Sequence, residues 1–447
     1  MRLNQFYKYI AVFLIAFSLA ILFIWLDVGA NNLEGDAAIY FRIAKNIVSG
    51  NGFSDKGIAP FTPTMVREPL YPLFLAVIFY LFSGSIFAVQ LIQALLYGLT
   101  CILTYKIISY CGLEDKFSFR ASLAIALFPT LANYCAYIFT EVLFTFLLAL
   151  TILFLIKALK SNSNGLYFAA GSILAVASLC KAVLLFYVFF SVLLISVNYP
   201  HELKSKFIIT ALKRSLLLLA GFTLAVSPWI TRNYLIFGKA GISLRGFNSL
   251  YARASKLELT NKELKMYALY CVSEEMANKF YPGYNLNSVS SGYFYLPLLE
   301  KEEEARRLGI SQEDTDSLLK KESVSLIKEH PWRFVVFGIF EIVKLNSFSQ
   351  VVFLNTDKAA VMFNKTVFLS ALRGALKLLG FLIFILALLG PIFAYRLKYV
   401  WSVLFSVILY FNFIYFFFDS VGRYAAPIIP YYIFFAALVF RGKKCAE

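Results

Sequence analysis

The sequence predicts an all-α integral membrane protein, a polytopic helical bundle of about ten to twelve spans with amphipathic outer-loop helices and a small extracytoplasmic segment. Three observations carry this. Of 447 residues, 60% are hydrophobic and only 15% are charged, and the mean hydropathy is +0.72. Soluble domains average about 45 to 50% apolar and about 25% charged, so this composition needs lipid as a solvent. Apolar runs approaching the roughly 20 residues of a span recur along the whole chain. The net charge of +16 comes from Lys and Arg that punctuate those runs rather than cluster on one face. That is the positive-inside pattern, and it argues against nucleic acid as a partner.

Taken in order, the clearest spans cover 9–26, 86–108, 120–133, 138–159, 166–180, 183–197, 215–230, 378–395, 400–418 and 424–440. Basic residues mark the turns of one side: Lys106, Lys116 and Arg120; Lys157 and Lys160; Lys204, Lys206, Lys213 and Arg214; Arg396 and Lys398; and Arg441, Lys443 and Lys444. With these cytoplasmic, both termini are cytoplasmic and the count of spans is even. The topology closes only when 69–82 and 334–348 do not cross fully. The first is short and opens Pro69-Leu-Tyr-Pro, and the second carries Glu341 and Lys344, so both read as interfacial or re-entrant helices.

Two segments then lie outside, a loop over 27–68 and a polar stretch over 233–333. The latter contains Glu300-Lys-Glu-Glu-Glu-Ala-Arg-Arg and a helix predicted over 313–330, and it is long enough for a small outer domain. The organisation expected is a membrane core over 1–232 that includes the loop 27–68, an extracytoplasmic segment over 233–333, and a C-terminal membrane region over 334–447. The first span lacks a small-residue cleavage site and reads as a membrane anchor, not a signal peptide. Six cysteines, Cys101, Cys111, Cys135, Cys180, Cys271 and Cys445, form no CxxC pair. Neither a disulfide framework nor a zinc site is indicated, and His201 and His330 lie far apart in sequence.

The loop 27–68 holds the most chemistry. Asp36 opens an amphipathic helix whose apolar residues recur at Ile39, Ile43, Ile47 and Val48. A carboxylate there stands open between two readings, a cap for the first-turn amides and a functional acid. Glu34 and Asp36, one residue apart, would suit a general base or a divalent-cation ligand, although the sequence supplies no compact ligand set. Glu141 lies near the outer end of a span, where a lipid-facing carboxylate is costly. It either faces a polar cavity or pairs with Lys181, which begins the following outward turn.

An ordered series of motifs runs through the chain: Asp36 with Tyr40 and Ala44, the turn Gly50-Asn-Gly-Phe, Arg67-Glu-Pro-Leu-Tyr-Pro, Phe139-Thr-Glu, Pro228-Trp-Ile-Thr-Arg-Asn, His330-Pro, and Gly422-Arg-Tyr-Ala-Ala-Pro-Ile-Ile-Pro. The series resembles the GT-C glycosyltransferases, in the bacterial branch related to protein O-mannosyltransferases and the lipid A aminoarabinose transferase. The resemblance covers 36–430. It implies an enzyme that inverts a sugar as it moves from a polyprenyl-phosphate donor to a lipid, glycan or protein acceptor at the outer face of a plasma membrane, the bacterial inner membrane.

In that family the acidic residue of the first outer loop is the catalytic base, and Asp36 matches it. A phosphate leaving group calls for fixed positive charge nearby. Arg67 and Arg423 are the expected donor-phosphate ligands, each with an alternative as an interface anchor. Glu34, Tyr40, Glu141 and Lys181 are expected around the substrates, with Lys181 standing where the family leads one to expect Arg. Trp229 and Arg232-Asn233 read as interface and helix-end residues. A transporter or lipid-linked sugar flippase is the rival from another class. Carriers place ionisable groups near mid-membrane in two repeated halves, whereas these charges cluster at one boundary and no repeat is visible. A noncatalytic scaffold is the third reading.

Overall fold

The computed structural model describes residues 2–26, 33, 35–197, 207–284, 286, 292–347, 366–394 and 400–441. Among these residues the fold is helical throughout, with no strand. Seven helices are long and apolar enough to cross a membrane, and three shorter apolar helices accompany them. The chain is an integral membrane protein. Glu34, His201 and Cys445 lie outside the described residues, as do Lys204, Lys206, Arg396, Lys398, Lys443 and Lys444.

Helix α1 (Arg2–Leu26) leads to α2 (Gly35–Val48) and α3 (Leu70–Leu81), and then to α4 (Ile86–Tyr110). The buried face of α2 is Ala37, Tyr40, Ile43 and Ala44, shifted from the face expected at Ile39, Ile43 and Ile47, and Val48 is exposed. The reason is packing against α3: Phe41 meets Phe79 at 5.3 Å and Tyr40 meets Tyr71 at 5.1 Å, and rings dominate such contacts. The other side of α3 leaves Leu73, Val77, Tyr80 and Leu81 uncovered.

The apolar run at 120–133 is not one span. It divides into α5 (Asp115–Ala126) and α6 (Pro129–Tyr134), because the chain turns at Leu127–Phe128 and Pro129 occupies the first turn of the new helix. Proline lacks the N–H that would continue the first helix. Then follow α7 (Glu141–Ser161), α8 (Asn164–Cys180), α9 (Tyr187–Val197) and α10 (Phe207–Phe237). Helices α8 and α10 approach closely at two glycines. A Cβ on Gly171 would lie 1.9 Å from the Leu218 carbonyl oxygen, and one on Gly221 would lie 2.1 Å from that of Phe168. Small residues are what permit such backbone contact between membrane helices.

The outer segment holds α11 (Arg245–Ala254), α12 (Asn261–Val272), α13 (Glu274–Phe280), α14 (Leu296–Arg307) and α15 (Gln312–Glu329), the last close to the helix read from sequence. It has its own apolar core around Leu257, Met266, Tyr267 and Phe294, completed by Phe334 and Phe337 of α16 (Pro331–Asn346). The chain closes with α17 (Thr366–Ala394), α18 (Val400–Phe417), a 3₁₀ turn over Gly422–Ile428, and α19 (Ile429–Arg441).

Candidate functional site

Segments remote in sequence bring charged side chains together in four groups. The first is the N-terminal turn of α2, which carries Asp36. The second is Arg67 at the mouth of α3, the third is Glu141 at the start of α7 with Lys181 just past α8, and the fourth is Arg423 in the 3₁₀ turn before α19.

Asp36 accepts on both carboxylate oxygens. Arg67 Nη2 donates to Oδ1 at 2.6 Å and Arg423 Nη2 donates to Oδ2. A second carboxylate stands beside this pair. Lys181 Nζ donates to Glu141 Oε1 at 3.3 Å, and Arg423 Nε lies 3.8 Å from the same oxygen. Arg423 therefore bridges the two acids.

Aromatic rings sheath the cations. Arg67 lies over Tyr40 at 5.4 Å, Lys181 over Tyr424 at 4.3 Å, and Arg423 over Phe139 at 5.0 Å. Such faces favour a cation as they displace its water. Exposure separates the partners: the Arg67 side chain is 1% exposed and that of Arg423 is 22%.

The loop geometry explains how these residues are held. The turn after α2 needs a left-handed backbone at Gly50 and Gly52, with φ of +78° and +76°, which glycine adopts without strain. The buried Asn46 amide then donates to the Ser54 and Lys56 carbonyls at 2.8 and 2.9 Å, so the loop folds back under α2. Arg232 Nη1 donates to the Thr64 carbonyl at 2.9 Å, and Leu244 N donates to the Met65 carbonyl at 3.0 Å. Trp229 packs on Phe53 at 4.8 Å, and Asn233 caps the turn at Gly241 with a 2.7 Å bond. Trp229 and Arg232-Asn233 thus fasten the loop that delivers Arg67.

Three residues passed over in the sequence support the site. Glu68 is 9% exposed and accepts from the Ser243 hydroxyl at 3.1 Å and from Ala182 N at 3.4 Å, tying Arg67 to the turn that carries Lys181. Its place inside the Arg67-Glu-Pro motif was the available signal. Gln93 receives the Tyr71 hydroxyl at 3.0 Å and donates to the Cys135 and Tyr137 carbonyls at 3.1 and 2.9 Å. Gln90 donates to the Ala136 carbonyl at 2.7 Å. Both glutamines hold the irregular strap that leads into Glu141, and only their polarity inside an apolar helix marked them.

Among the described residues, no group of three His, Cys, Asp or Glu side chains could hold a metal ion. The described groups around Asp36 do not fit a divalent cation, since both of its oxygens already face guanidinium groups and hard cations need several free oxygens. Two arginines and a lysine beside two acids instead suit an anion.

Residues 63–229 match the dolichyl-phosphate-mannose-protein mannosyltransferase family. This is a GT-C-type family, and the match takes in Arg67, Glu141 and Lys181. With the apolar helices, the match supports a mannosyltransferase-like membrane glycosyltransferase. Asp36 and Arg423 lie on either side of the stretch matched to the mannosyltransferase family; the structure brings them to the arginine inside it. No curated protein matches the chain.

Proposed function

We propose that this chain transfers a sugar from a polyprenyl-phosphate donor to an acceptor hydroxyl of a lipid, glycan or protein, with inversion, and that Asp36 is the general base. One observation carries the reading. The acid that begins α2 and the arginine that opens the 3₁₀ turn near the other end of the chain meet Arg67 in a single constellation.

The chemistry follows from charge. A sugar phosphodiester carries about one negative charge, and the monophosphate left after transfer carries about 1.5 to 2. Cations beside the phosphate therefore bind the product-like transition state better than the ground state, and differential binding of that kind accelerates a reaction. Arg423 and Lys181, the more exposed cations, are assigned to the phosphate, with Arg67 as the fixed cation of the site.

In the structure Arg423 is engaged with Asp36. A carboxylate held by two guanidiniums is a weak proton acceptor. The donor phosphate competes for Arg423 and draws it away, which removes one cation from Asp36 and makes it a better proton acceptor when the donor is seated. The acceptor O–H bond then breaks toward Asp36 as the oxygen bonds to the anomeric carbon, and the carbon–oxygen bond to phosphate breaks on the far side. Tyr40 and Glu141 shape the sugar site, and Glu34 stands one residue before Gly35.

The site is assigned to the outer face of a bacterial inner membrane, with both termini cytoplasmic. The core comprises 1–232 and 334–447, and the segment 233–333 covers it and shapes acceptor choice. The test is sugar transfer by purified protein in lipid, given radiolabelled polyprenyl-phosphate sugars and total membrane acceptors. Label moved by the native chain and not by Asp36→Asn supports the enzyme and its base. Equal transfer by both removes the base assignment, and no transfer across a broad donor panel favours a transporter.

A further inference from the structure

A second charged cluster lies outside the site and is more deeply buried. Lys256 follows α11, Glu341 and Lys344 lie on α16, and Asp419 lies in the turn after α18; their side chains are between 0 and 8% exposed. Lys344 Nζ is 2.8 Å from Glu341 and 3.0 Å from Asp419. Lys256 donates to Asp419 and stands 3.7 Å from Glu341. The Tyr295 hydroxyl donates to the other Asp419 oxygen at 2.5 Å, and Tyr267 donates to Glu341.

The cluster converges on two consecutive residues. Ser420 N donates to Glu341 Oε2 at 2.8 Å, and its hydroxyl lies within reach of the Glu341 carbonyl and carboxylate at 2.8 and 2.9 Å. Asp419 N donates to the Ser249 carbonyl at 3.3 Å. The turn 419–420 is thus gripped by α11, α16 and the two 3₁₀ turns that hold Lys256 and Tyr295, and α12 reaches Glu341 through Tyr267. Below it, Asn346, Asn412 and Tyr432 close a ring of hydrogen bonds at 2.6 to 2.8 Å between α16, α18 and α19. Three residues beyond Ser420 is Arg423.

Burying two carboxylates and two ammonium groups costs several kcal/mol per ion, and apolar residues of similar volume often serve stability equally well. What such a cluster supplies that an apolar one does not is a defined geometry, because each bond fixes a direction. We infer that Asp419, Ser420, Glu341, Lys256 and Lys344 are positioning residues that set the start of the Gly422–Ile428 turn, and so hold Arg423 where it meets Asp36 and the donor phosphate. The outer segment then acts on donor binding through this grip, not only by covering the site. The inference rests on the assignment of Arg423 to the phosphate.

The experiment is equilibrium binding of polyprenyl monophosphate to the full chain in lipid nanodiscs, with thermal midpoints measured in parallel. The chains compared are native, Ser420→Ala, Arg423→Ala and the double variant, with Asp419→Asn as the alternative first substitution where Ser420→Ala does not fold. The expected result is about 10-fold weaker binding in Ser420→Ala, about 10- to 100-fold in Arg423→Ala, and no further loss when the two are combined. Losses that multiply, or native affinity in both Ser420→Ala and Asp419→Asn, overturn the positioning role while leaving the phosphate assignment intact. Native affinity in Arg423→Ala overturns the phosphate assignment and this inference with it.

Discussion

Asp36 and Asp419 are each held by two cations, yet the two surroundings differ in one respect. At Asp36 the partners are a sealed arginine, 1% exposed, and an open one, 22% exposed. At Asp419 both lysines are sealed, 2% and 8% exposed, and a tyrosine fills the remaining oxygen. A solvated anion can displace a carboxylate from an open cation, because the exposed partner can turn without leaving a charge buried. It cannot do so where breaking the pair strands a charge in an apolar surround. The first cluster is therefore built to exchange partners and the second to keep them.

The comparison breaks most readily at Asp36. Asp36→Asn is expected to lower transfer about 10²- to 10⁴-fold while polyprenyl phosphate binds tighter, since Arg423 no longer has the Asp36 charge to leave. Initial rates and equilibrium binding on one preparation check both signs. A parallel loss of donor binding would mean that the aspartate holds the donor directly.

The second cluster answers in stability instead. Lys344→Met leaves Glu341 and Asp419 with one lysine between them, and removing one partner of a buried pair costs about 3 to 5 kcal/mol. A thermal or denaturant midpoint should fall accordingly. Burial alone would push Asp419 up, but Lys256 and Lys344 hold it well below the usual carboxylate range. A depressed acid contributes stability that is present above its unfolded value and lost as pH falls through its folded one. The grip on 419–420 should therefore persist as pH falls into the ordinary carboxylate range, where less tightly held acids protonate.

The smallest effect is expected at Asp316 on α15. It is 8% exposed, and one of its carboxylate oxygens is buried with no hydrogen-bond partner. Burial pushes this acid up, against Lys239 and Lys320. A raised acid is penalised once pH passes its unfolded value, so Asp316→Asn should slightly raise the thermal midpoint near pH 7. The gain should fade below about pH 4, where the unfolded chain also holds the proton.

Much of this was legible in the sequence. Hydropathy located the long helices because a span must satisfy its own backbone, and the motif series marked Asp36, Arg67 and Arg423 before any geometry joined them. The run at 120–133 misled because composition alone does not register a turn placed just ahead of Pro129. The face of α2 shifted because rings on α3 outweighed aliphatic periodicity. The second cluster was half visible: Glu341 and Lys344, one helical turn apart in an apolar stretch, were read only as a reason not to cross. Two such charges also imply partners. Asp419, just before Gly422-Arg, was the place to look.

The bond between Arg423 and Asp36 joins positions 387 residues apart. A ribosome adding about 5 to 20 residues per second needs roughly 20 to 80 seconds to lay down that interval. For that time the acid has been made and its second arginine has not. A nascent chain thus carries Arg67 as the only arginine of this pair available to Asp36, and its site is completed close to the last helix. A product that stops before Arg423 retains the matched family segment and most of the spans, but lacks the cation assigned here to seat the donor. Such a fragment is expected to insert as a membrane protein and to be idle as an enzyme.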